Sequence, residues 1–124
     1  MGFALLRTDA VPQGTSGGVV PAPATVTAGE VTVTIGPTAL GPDGARFEVI
    51  LDTHSGDLTV DLSSSAALSV DGTPAAAGTW QGDPSGGHHR EGTLTFDTPV
   101  TSGDEVTLTI EDLPGPVTAS WVAP

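Results

Sequence analysis

The chain predicts an all-β fold, an immunoglobulin-like antiparallel β-sandwich of about seven strands. Three observations carry that expectation. From Val31 onward, apolar residues recur at every second position in short runs, the period of a strand with one buried face. Clusters of Gly, Pro, Asp and Ser separate the runs. With 17 Gly and 11 Pro in 124 residues, no stretch carries a helical stripe.

Each predicted strand follows from its inward face. Val31, Val33 and Ile35 form the first. Phe47, Val49 and Leu51 form the second, with Arg46, Glu48 and Asp52 opposite. Leu58, Val60 and Leu62 predict the third, and Leu68 with Val70 a short fourth. Leu94 and Phe96 mark the fifth, Val106, Leu108 and Ile110 the sixth, and Val117, Ala119 and Trp121 the seventh. Phe47, Phe96, Trp80 and Trp121 are the bulky pieces expected in the core. The cysteine pair of antibody domains is absent, so the expected likeness is one of architecture.

Residues 1–30 read as a flexible Pro/Gly/Thr-rich arm or linker, and 31–124 as the sandwich. Gly14-Thr15-Ser16-Gly17-Gly18 matches the spacing of a nucleophile elbow but has no strand before it and no helix after it, so it is read as accidental.

Composition excludes several function classes. The net charge is −12, and the only basic residues besides histidine are Arg7, Arg46 and Arg90. Such a chain repels phosphate backbones and anionic lipid, so no nucleic-acid partner is expected. No apolar run approaches the roughly 20 residues of a spanning helix, so no membrane insertion is expected. The apolar start at residues 1–7 lacks the basic flank and cleavage site of a signal peptide. Without cysteine there is no thiolate nucleophile and no Cys-type zinc site.

The histidines are the candidate chemistry. His54 lies in Asp52-Thr53-His54-Ser55, and His88 and His89 in Gly86-Gly87-His88-His89-Arg90. With the predicted strands named A to G, the B–C, D–E and F–G loops of such a sandwich share one pole. The B–C loop brings His54 with Asp52 and Asp57. The 71–91 segment brings Asp83, His88, His89 and Glu91, and the F–G loop brings Glu111 and Asp112. His54 with one or both of His88 and His89 would suit copper(II) or zinc(II), with carboxylates completing the shell. The competing reading is a turn whose imidazoles hydrogen-bond to backbone carbonyls and close the end of the sandwich. Arg90 is expected to form a surface ion pair with Glu91 or to brace the loop, contributing little energetically in either case, and Arg46 to pair with Glu48 or a cross-strand acid. Trp80, which opens the histidine loop, is the tryptophan placed to line a site. His54 and Ser55 are neighbours whose side chains point apart, and no orienting group or oxyanion hole accompanies them, so no enzyme is expected.

Phe47-Glu48-Val49-Ile50-Leu51-Asp52-Thr53-His54-Ser55, the later Trp80-Gln81-Gly82, and Gly86-Gly87-His88-His89-Arg90-Glu91-Gly92-Thr93-Leu94-Thr95-Phe96 resemble a family of small bacterial and archaeal β-sandwich domains. The resemblance spans about 31–122. Its members are usually exported or membrane-tethered, so it implies an extracytoplasmic setting (periplasmic, cell-surface or secreted) and no particular reaction. This sequence differs in carrying no tether. The expected function is a non-enzymatic binding module that holds a metal ion at the pole. The alternatives are a structural subunit of a surface filament or virion, self-assembling or joining another protein through its N-terminal arm, and a carbohydrate-binding or adhesion module.

Overall fold

Period-two alternation becomes two antiparallel sheets packed face to face in the computed structural model, which describes residues 20–124. The strands are β1 (Ala24–Ala28), β2 (Val31–Gly41), β3 (Gly44–Thr53), β4 (Ala66–Val70), β5 (Thr73–Pro74), β6 (Thr79–Gly82), β7 (His89–Phe96), β8 (Glu105–Ile110) and β9 (Val117–Val122). One short helix, α1 (Leu62–Ser65), precedes β4 and is capped by the Asp61 carboxylate, which accepts from Ser63 N at 3.0 Å.

The first sheet runs β1-β2-β3-β7-β6 and the second β5-β4-β8-β9. Apart from the edge strands β1 and β5, this is the immunoglobulin order of A-B-E-D on one sheet and C-F-G on the other. Val33, Ile35, Phe47, Val49 and Leu51 from the first sheet meet Val106, Leu108, Ile110 and Val117 from the second, all fully buried. Phe47 sits at the centre, edge-on to Phe96 at 6.1 Å between ring centroids and 5.5 Å from Trp121.

Four expectations need correction. The arm does not extend to residue 30: Ala24–Ala28 is β1, paired with β2 so that Val26 opposes Val33. Its own Ala-Thr-Val-Thr-Ala alternation carries it, and Gly29, at φ 63°, makes the turn into β2. Residues 1–19, with the elbow-like Gly14–Gly18 spacing, lie outside the described residues. The predicted third strand is not one. Leu58, Val60 and Leu62 are buried with exposed residues between them, yet 57–61 joins neither sheet. The third strand's place in the topology is taken by β4, and the segment thought to be one long loop supplies β5 and β6. Trp80 is half-buried at the rim and packs against the core without entering it.

Phe47→Ala is expected to cost about 3–5 kcal/mol in denaturant unfolding, because both aromatic neighbours would line the resulting cavity.

Candidate functional site at the loop pole

With the strands reassigned, three connections still meet at one pole: 54–65 after β3, 83–88 before β7 and 111–116 between β8 and β9. The β1–β2 turn joins them. What holds this pole together is Arg90, the second residue of β7. Its side chain points inward and is 3% exposed, so of the two expected roles it takes the loop brace and not the surface pair with Glu91, and it does so as a buried group. Nη1 donates to the carbonyls of Leu58 (3.1 Å) and Val60 (2.7 Å), and Nη2 to the carbonyl of Asp83 (3.3 Å). The guanidinium carbon lies 5.7 Å from the centre of the Trp80 ring. Nε is buried with no hydrogen-bond partner among the described residues.

This cage explains the missing strand. Carbonyls two residues apart on an extended chain point the same way. Those of Leu58 and Val60 therefore both face the guanidinium, where a neighbouring strand would otherwise supply amides. Further bonds run from Leu58 N to Gly87 O (2.9 Å) and from Gly86 N to Leu58 O (2.8 Å). Gly86 and Gly87, at φ 113° and 80°, allow the loop to make them.

The glycines around Trp80 belong to the same unit. Gly82 and Gly92 are directly opposed between β6 and β7. A Cβ on Gly92 would stand 2.8 Å from the indole, and one on Gly82 2.9 Å from it. The bare backbone therefore makes room for the ring that covers Arg90. Trp80 Nε1 donates at 3.0 Å to the Asp83 carbonyl that Arg90 also uses.

The outward face at the start of β7 carries a second cluster. His89 opposes Asp52 across β3 and β7. Its Nδ1 lies 2.6 Å from Asp52 Oδ1, and its Nε2 3.0 Å from Glu91 Oε1. The hydrogen bond to Asp52, and then that to Glu91, raise the His89 pKa to about 9, so the ring is a cation between two carboxylates at neutral pH. Both ring nitrogens are engaged by side chains, not by the backbone carbonyls of the competing sequence reading.

His54 and His88 are exposed at the same pole. Their segments touch through the backbone, where Thr53 N donates to His88 O at 2.9 Å. Within Thr53-His54-Ser55 the outer two residues brace the loop. Thr53 Oγ1 donates to Ser55 O (2.8 Å), and Ser55 Oγ donates to Glu30 Oε1 (2.7 Å). Among the described residues, no three His, Asp or Glu side chains are grouped as metal ligands. Arg46 lies among Thr79, Gln81, Thr93 and Thr95 on the outer sheet face, away from the pole.

The pole also holds a cleft of about 470 Å³ between the β1–β2 turn, the 55–60 segment and the 112–114 segment. Val31, Leu58 and Val60 lend it buried apolar surface, and Glu30, Asp57 and Asp112 line its exposed rim. Asp112, at φ 65°, accepts from Ser65 Oγ at 2.6 Å, which fixes the β8–β9 loop against α1. No local motif could have revealed this cleft, because its three walls come from three distant segments. No protein-family model and no curated protein matches the chain.

Two outcomes follow from this geometry. Arg90→Ala is expected to destabilise the fold by about 3 kcal/mol or more in denaturant melts, with Arg90→Lys recovering less than half, because an ammonium cannot span the three carbonyls. An NMR titration of His89 should give a pKa near 9, falling toward 7 in Asp52→Asn. Because the folded value lies above the unfolded one of about 6.5, His89 stabilises the fold fully below pH 6.5, and that contribution is lost as pH rises toward 9.

Proposed function

We propose that the protein is a non-enzymatic, extracytoplasmic β-sandwich binding module whose recognition surface is the pole cleft. The observation that carries this reading is the pairing of an apolar floor with a carboxylate rim in one concave site. Polar groups around it are engaged as braces, Ser55 with Glu30 and Ser65 with Asp112, which suits a preformed recognition surface. A copper(II) or zinc(II) site on His54, His88 and His89 would require His89 to leave both of its carboxylates, so the cleft supports function better than the imidazoles do. Among the described residues the carbohydrate or adhesion reading finds no aromatic platform: Trp121 is 7% exposed, and Trp80 is committed to Arg90.

A second reading, a structural subunit of a surface filament or virion, is favoured by the edge position of β1. The chain leading into it passes β9, where Trp121 Nε1 donates to Ala22 O at 3.0 Å.

Backbone amide shifts measured against a small-molecule fragment library test the cleft reading. Responses should concentrate at Glu30, Ser55, Asp57 and Leu113. Responses spread evenly over the two sheet faces would count against it.

A further inference from the structure

Resting on the cleft reading, we infer that the occupant of the pole cleft is the 3–7 segment of a second copy of this chain, stacked head to tail. The cleft asks for a ligand that is apolar along its length and cationic at one point, because its floor is Val31, Leu58 and Val60 and its rim is Glu30, Asp57 and Asp112. In a chain of net charge −12, surface of that complementary kind is scarce. Of the three arginines, Arg90 is buried and Arg46 lies among threonines on a sheet face. Arg7 alone follows an apolar run, Phe3-Ala4-Leu5-Leu6. That segment could place its aliphatic side chains on the floor and its guanidinium among the rim carboxylates, with bidentate pairing to one of them.

The direction of the chain supports a neighbour as the acceptor. Strand β1 runs toward the cleft, since Ala28 opposes Val31 beside the Gly29-Glu30 turn, while Ala24 opposes Ile35. The chain therefore enters β1 from the direction of the other pole, beside the middle of β2 and about 14 Å back along the strand. A copy stacked beyond that pole would present its cleft to the incoming segment without a reversal of the chain. The 12 residues between Arg7 and Val20 let the chain reach up to about 45 Å, enough to cross such a junction. A contact between opposite poles is heterologous and does not close on itself, so the expected product is a growing series of assemblies and not a dimer.

Sedimentation of the full chain over a concentration series tests this, with circular dichroism confirming that each variant is folded. The wild type should form assemblies larger than dimers. Arg7→Glu and Asp57→Arg should each raise the concentration needed by about tenfold or more, and the double variant, with the charges exchanged, should recover part of the loss. A wild type that stays monomeric, a series that closes at the dimer, or assembly indifferent to both single changes overturns the inference. A synthetic 2–8 peptide added to the Arg7→Glu protein separates this from the cleft reading. If its amide shifts map to Glu30, Asp57 and Leu113 while the wild type stays monomeric, the cleft reading stands and the second copy is excluded. If the wild type stays monomeric and no amide shifts appear, both fall.

Discussion

A buried arginine whose hydrogen-bond partners are carbonyls organises the loop pole of this sandwich. Taking a guanidinium out of water costs several kcal/mol, and here the opposing contribution comes from three carbonyl dipoles and an indole face. Charge-assisted bonds of this kind contribute about 1.5–3 kcal/mol each, so the cage can offset the cost only while all its partners stay in place. That condition fixes the local backbone. The 57–61 segment stays extended without a strand partner, the Gly86-Gly87 loop folds back to Leu58, and Gly82 and Gly92 leave space for Trp80. One wall of the cleft is this same segment, so the site depends on the cage.

Consecutive residues of β7 serve opposite sides of the sheet. Arg90 points inward and fixes the loops. His89 and Glu91 point outward, where the imidazolium joins two carboxylates that would otherwise repel each other on a strongly acidic surface. The run of His, His and Arg that suggests a ligand set in the sequence is thus split between two structural tasks. Part of the acidic excess that remains lines the cleft, at Glu30, Asp57 and Asp112, and the negative potential there favours cationic partners.

Much of the fold was legible because period-two burial is written directly into β2, β3, β7, β8 and β9. The same signal overreached at Leu58, Val60 and Leu62. Alternating burial reports which side chains face the core and is silent on whether the backbone bonds to a strand or to a side chain. β1 was hidden by the Pro-rich composition just before it, and β6 by having only four residues at the rim. The pole itself was legible from topology even with two strands misassigned, because the loops that converge do so in any sandwich of this order. The role of Arg90 was legible only in outline: a brace on the loop was one of two readings, but its burial and its carbonyl partners depend on segments that only the folded chain brings together. The cleft was out of reach for a similar reason: Glu30, Asp57 and Asp112 come from three unconnected turns.

The measurement that bears most directly on this account is nitrogen-15 NMR of the Arg90 guanidinium in the full chain. A caged group should show hindered rotation about its Nε–Cζ bond, with separate and slowly exchanging Nη signals that persist wherever the protein is folded. A single averaged signal exchanging at the rate of a solvated arginine, in protein that is folded by every other criterion, would contradict it.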